Sequence, residues 1–142
     1  MSSDSQTGGP EPGTTLAGKY LVEQVLGIGG MGVVVAAKHL QLDQKVAIKY
    51  LLPQALMNPE VVERFAREAR AAAKIKGEHV ARVSDVGQFD DGAPFMILEY
   101  LEGHDLAKQL EKFGPLGVSD AVRYLLETCE ALAEAHAAKI VH

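Results

Sequence analysis

The sequence predicts an α+β fold: a five-stranded antiparallel sheet with one helix packed on a face, followed by two more helices. Three observations lead there. Short apolar, β-branched runs are separated by turn residues and not by helix-length connections, which suits antiparallel strands. One amphipathic segment, residues 58–77, interrupts that series. Beyond residue 104 the strand pattern gives way to helical spacing.

Residues 2–15 hold only Ser, Thr, Asp, Glu, Gln, Gly and Pro, which have little apolar surface to bury. A disordered tail is therefore expected over 1–17, with the fold beginning near Lys19-Tyr20. Strands are expected over 20–27, 32–39, 45–51, 82–89 and 95–100, the last two joined by a turn at Asp90-Asp91-Gly92. In the helix at 58–77, Asn58 is the N-cap, Pro59 suits the first helical position and Gly77 supplies a stop. A short helix near 104–113 ends at Gly114-Pro115. Ser119 then caps a longer one that runs to Ala138 and carries Leu125, Leu126, Leu132 and His136 at helical spacing.

The most informative stretch is Gly27-Ile28-Gly29-Gly30-Met31-Gly32-Val33-Val34 with Val46-Ala47-Ile48-Lys49 after it. Gly27, Gly29 and Gly32 fit G-x-G-x-x-G, a spacing that brings backbone N–H groups against phosphate because no Cβ blocks the approach. A dinucleotide-binding loop shares that pattern but must run straight into a helix, with an acid about 20 residues on. Here β-branched residues follow, which favour a strand, and the glycines are read as joining two strands. Alternation along the next strand puts Ala47 and Lys49 on one face, the small residue leaving room for a ring and the amine reaching onward. A plain glycine-rich turn in an ordinary sheet and a dinucleotide-binding oxidoreductase are the alternatives. The latter needs residues 33–44 to be helical.

At about 100° per residue, Val61, Phe65, Ala72 and Ile75 share one narrow helix face, with Glu68 in its middle. Arg64, Arg67, Arg70 and Lys74 lie on or towards the other side, as a solvated face or a docking patch. An inward carboxylate is costly unless paired. The partner expected is Lys49, the alternative being Arg64 one turn back.

Together these residues resemble the N-terminal part of a protein kinase domain, of the eukaryotic-like serine/threonine kinases of bacteria. The resemblance covers residues 18–142 and implies a kinase-like N-lobe at 18–101 and the start of a helical C-lobe at 102–142. It implies that Leu26 to Val34 (Leu26, Gly27, Ile28, Gly29, Gly30, Met31, Gly32, Val33, Val34) is a loop over ATP. By the same likeness Lys49 holds the α- and β-phosphates, and Glu68 is its ion-pair partner. Leu98 is then the gatekeeper, and the backbone of Glu99 and Leu101 bonds the adenine edge. Asp105 stands at a ribose contact, and Val34, Ala47 and Leu106 sandwich the ring. Ala72, Val83 and His142 match three positions of a stacked apolar column.

The likeness also has gaps. His142 matches the first residue of H-R-D-x-x-x-x-N, so the catalytic base, the Mg²⁺ ligands and the D-F-G aspartate are expected beyond residue 142, with the remainder of the C-lobe. The implied activity is transfer of the ATP γ-phosphate to protein Ser or Thr hydroxyls, with Mg²⁺. This stretch alone is expected to be inactive. The alternative is a non-catalytic, pseudokinase-like binding module. Lys139 stands where relatives have Gly, and a left-handed backbone there costs about 1 kcal/mol.

Composition sets the remaining bounds. A net charge of −5 over 142 residues gives no nucleic-acid surface. The single cysteine, Cys129, excludes an internal disulfide. It lies on the stripe of Val122, Leu126 and Leu132, where burial is expected. None of the five histidines has metal-ligand spacing. His136 is expected in the core, and His39 and His79 at strand or loop ends. No run of about 18 apolar residues spans a membrane, no signal peptide is evident, and a reducing, cytoplasmic setting is expected. ATP and protein substrates are the expected partners. An exposed apolar patch is expected on the last helix where a large lobe would pack.

Overall fold

Alternation of apolar residues along six short segments builds the sheet of the computed structural model, which describes residues 9–30 and 32–141. The strands are β1 (Thr15–Leu16), β2 (Tyr20–Ile28), β3 (Gly32–His39), β4 (Gln44–Leu51), β5 (Val83–Gln88) and β6 (Pro94–Glu99). They lie side by side in the order β1-β2-β3-β4-β6-β5, every neighbouring pair antiparallel. The five expected strands are present within a residue or so of their expected bounds.

The sixth, β1, lies in the stretch expected to be disordered. Residues 9–17 are built onto the sheet: Thr15 pairs with Leu21 and Leu16 with Tyr20. Gly13 N–H also donates to Val22 O, and Val22 N–H to Thr14 O, both at 2.8 Å. Composition misleads here because backbone groups, which every residue carries, make the attachment. Residues 1–8 of the expected tail lie outside the described residues.

Side-chain alternation sends apolar groups to both faces of the sheet. One face buries Tyr20, Val22, Val33, Val35, Ala37, Ile48, Leu52, Phe95 and Ile97 together. Offsets in the β2 ladder at Val22/Gln24 and Val25/Gly27 mark bulges, which bend and twist a strand. The other face packs Leu51, Val83 and Met96 against Phe65 and Ala69 of α1 (Pro59–Ala72), with Ala55 from a 3₁₀ turn at Pro53–Met57. Ala72 packs against this cluster, so two of the three expected column positions, Ala72 and Val83, share it. His142 lies outside the described residues.

Helix ends differ from expectation in two places. At the start of α1, Asn58 accepts from Glu60 N–H, as an N-cap should. But α1 stops at Ala72 and not at Gly77. The N–H groups of Lys74 and Ile75 turn to the carbonyls of Ala71 and Ala72, a tighter last turn that carries Ile75 into buried surroundings. The second helix, α2 (Leu106–Phe113), is capped by Asp105, whose carboxylate accepts from Lys108 N–H at 2.8 Å. It ends at Gly114, with φ of 76°.

The third helix, α3 (Val118–Ala137), begins at Gly117 and not at Ser119. Gly117 already has extended backbone and its carbonyl accepts from Ala121 N–H, so Ser119 falls inside the first turn. Val122, Leu125, Leu126 and Leu132 are exposed, as the apolar-patch reading expects. Cys129 and His136 are exposed as well, against the expectation of burial. Neither α2 nor α3 contributes a buried residue, so no described element covers that face. His39 ends β3 with its ring edge-on to Tyr20 at 5.0 Å, and His79 lies in a loop.

Candidate functional site

Two strands and a tight turn make the roof of a cleft. β2 and β3 pair to their tips, Gly27 opposite Val34 and Ile28 opposite Val33, and Gly29 N–H closes the turn on Gly32 O at 2.8 Å. The glycines therefore join two strands, and residues 33–39 are extended, which removes the dinucleotide-loop alternative. Met31 lies outside the described residues.

The glycines are not equivalent. A Cβ on Gly32 would lie 2.8 Å from the carbonyl oxygen of Tyr50 in β4, so the sheet itself requires glycine there. Around Gly27 and Gly30 a Cβ would meet nothing within 4 Å. Their bareness leaves the cleft open beneath the turn.

That cleft has a volume of about 430 Å³ and is walled by the glycine turn, Val34, Lys49, Leu51 and one side of α1. Lys49 is opposite Val34 across the β3–β4 ladder, which places its exposed amine below the glycine roof. From α1 come Val61, Arg64, Phe65 and Glu68. Lys49 and Glu68 thus border one cavity, but no ion pair joins them. Glu68 is 62% exposed and its carboxylate lies 4.0 Å from Arg64 Nε. The expected Lys49 partnership is overturned in this conformation in favour of the pair one turn back. The physical reason is rotation of the helix face: Phe65 and Ala69 take the buried positions, and Glu68, adjacent to Ala69, stays in solvent where its charge costs little.

The adenine-side candidates form a separate group. Ala47, buried, pairs with Leu98 across β4 and β6, so the two lie on one sheet face next to Lys49 and Met96. Glu99 N–H donates to Arg82 O at 2.9 Å and its carboxylate accepts from Arg82 N–H at 3.0 Å, which fixes the end of β6. Leu101 and Leu106 are exposed. The Asp105 carboxylate is engaged as the cap of α2, a role that its position three residues before Lys108 could have disclosed. Leu26, Val33, Ala47, Leu98, Glu99, Leu101 and Asp105 do not line the cleft beneath the glycine turn. Val33 points to the opposite face, where it is fully buried.

Sequence reasoning missed Leu51, Val61, Arg64 and Phe65 as cavity walls. The signals were present: Leu51 follows Lys49 by two in a strand, and Val61 and Phe65 share the stripe that carries Glu68. Near the end of β6, Lys45 pairs with Glu23 at 3.0 Å and lies 4.5 Å above the Tyr100 ring. The hydrogen bond that the Lys45 amine donates to Glu23 raises the pKa of the lysine. Among the described residues no group of three or more His, Cys, Asp or Glu could hold a metal ion.

Comparison with known proteins agrees with this fold. Serine/threonine-protein kinase pkn3 of Myxococcus xanthus is 41% identical over 130 residues, covering 92% of this chain and 24% of that protein. PknH of Mycobacterium tuberculosis is 36% identical over 128 residues, covering 90% of this chain and 20% of PknH. The chain therefore spans about a quarter or less of these relatives' length. A mutant of the Mycobacterium tuberculosis PknI kinase domain superposes with a TM-score of 0.77 at 30% identity, over 94% of this chain and 54% of that one. The model of the protein kinase domain family matches residues 20–142, and this chain belongs to that family.

Proposed function

We propose that this chain is the ATP-binding lobe and first C-lobe helices of a serine/threonine protein kinase, acting on protein hydroxyls in the cytoplasm. The observation that carries this reading is the bare glycine turn roofing a cleft whose wall bears Lys49. Backbone N–H groups of the turn and the Lys49 amine are suited to the charge of a polyphosphate. In this reading Ala47 and Val34 flank the adenine, and Leu98, Glu99 and Leu101 border its polar edge. Asp105, while capping α2, presents a carboxylate oxygen towards a ribose. Glu68 positions Lys49 once it leaves Arg64. Mg²⁺, when bound, neutralises phosphate charge, and the described residues gather no site for it by themselves.

Transfer needs a base and metal ligands in line with the phosphate. The 142-residue chain alone is therefore expected to bind ATP without transferring phosphate. Titration with ATP is expected to give saturable binding that Lys49→Met weakens about tenfold or more, in line with loss of a charge-assisted contact. Equal binding by both proteins refutes the assignment of Lys49. In a radiolabel assay, incorporation above the Lys49→Met control refutes inactivity. A second reading, a non-catalytic regulatory module, draws on the Arg64–Glu68 pair, which leaves Lys49 without its expected acid. It is favoured if binding proves indifferent to Glu68→Ala.

A further inference from the structure

We propose that residues 9–16 act as a strap that sets the mobility of the glycine hairpin from its outer face. The strap lies before residue 20, where the family match begins. It turns back at Ala17 and Gly18, which have φ of 49° and 64°, and runs antiparallel beside β2. Its backbone bonds reach as far as Val22. Beyond that point it continues as packing: a Cβ on Gly9 would lie 3.2 Å from Val25 Cγ2, 3.5 Å from Val33 Cγ2 and 3.6 Å from Ile28 Cδ1. Those three side chains belong to the strands of the hairpin, and Val33 is fully buried. Leu16 anchors the other end against the core of the same face.

The hairpin needs such support on one side. β3 is paired to β4 up to Gly32, whereas the outer edge of β2 has a ladder only at its beginning. Two register offsets interrupt the pairing of β2 with β3, and the second, between Val25 and Gly27, falls in the half that carries the glycines. The closeness of Gly9 to Val25, Ile28 and Val33 therefore restrains a stretch of β2 whose ladder runs along one side only. Loosening the strap frees the hairpin. Because ordering a mobile loop on a ligand costs affinity, nucleotide binding weakens with it, a consequence that rests on the nucleotide reading given above.

Hydrogen exchange of amides 25–34 in the 142-residue chain, measured without nucleotide, tests the strap independently of that reading. Gly13→Pro removes the donor to Val22 O and cannot adopt the φ of 91°. It is expected to speed hairpin exchange about tenfold while the β4 and β6 amides keep their protection. As a variant that tightens instead, Thr15→Cys with Leu21→Cys joins cross-strand neighbours, in a Cys129→Ser background. Its oxidised form is expected to exchange more slowly at 25–34 than its reduced form. Unchanged hairpin exchange in both proteins overturns the strap. ATP titrations of the same samples are expected to follow the exchange rates. If the wild type binds no ATP, the nucleotide reading falls and the exchange data still decide the strap.

Discussion

Lys139 shows how a single residue carries strain. It sits just past α3 with φ of 61°. Its N–H bonds His136 O, and Ile140 N–H bonds Ala135 O, the paired reversed bonds of a Schellman ending. That ending is usually made by glycine, because a Cβ is crowded in the left-handed region. Lys139→Gly is expected to stabilise the end of α3 by about 1 kcal/mol. The matching readout is an approximately fivefold slower exchange of the 139 and 140 amides. Arg64 poses the functional counterpart. It holds Glu68 by an exposed i,i+4 pair, an interaction of about 0.3–0.5 kcal/mol. Releasing Glu68 towards Lys49 should therefore be easy, and Arg64→Ala is expected to raise ATP affinity about twofold. The gain should vanish in Arg64→Ala with Glu68→Ala. A gain that persists without Glu68 would show that the two acidic and basic neighbours are not coupled in this way.

At the level of elements, the sheet and α1 are packed while α2 and α3 are perched. β3, β4 and β6 supply most of the fully buried side chains, and α1 contributes Phe65 and Ala69. α3 touches the rest through a few polar links: Lys76 N–H donates to Glu134 at 2.8 Å, and His79 lies 3.3 Å from Glu130. Its apolar side chains Leu125 and Leu126 remain in solvent. Few buried contacts mean low local stability. Exchange across 118–137 in monomeric protein is expected to be faster than across β3, β4 and β6 by orders of magnitude. Uniform protection over both regions would contradict it. Exposed apolar helix faces also favour self-association, which a rise in sedimentation coefficient with concentration would reveal.

For the molecule as a whole, the sheet with apolar residues on both faces is what brings the site together. Lys49 and Ile48 are neighbours in sequence, yet one borders the cleft and the other is fully buried on the opposite face. That division was legible beforehand because strand alternation is a local property. So were the glycine turn, the N-cap at Asn58 and the stop at Gly114, each set by a residue's own backbone preference. The partner of Glu68, the exposure of Cys129 and the order in residues 9–17 were not legible in the same way. Each depends on what lies across space: the rotation of α1 that buries Ala69, the absence of a described element over α3, and an open edge of β2 that accepts any backbone. Local sequence determined the strands, the glycine turn and the side of the sheet on which Lys49 lies. The tertiary structure alone decided which charge faces which, because ion pairing depends on distances between elements that no single segment encodes.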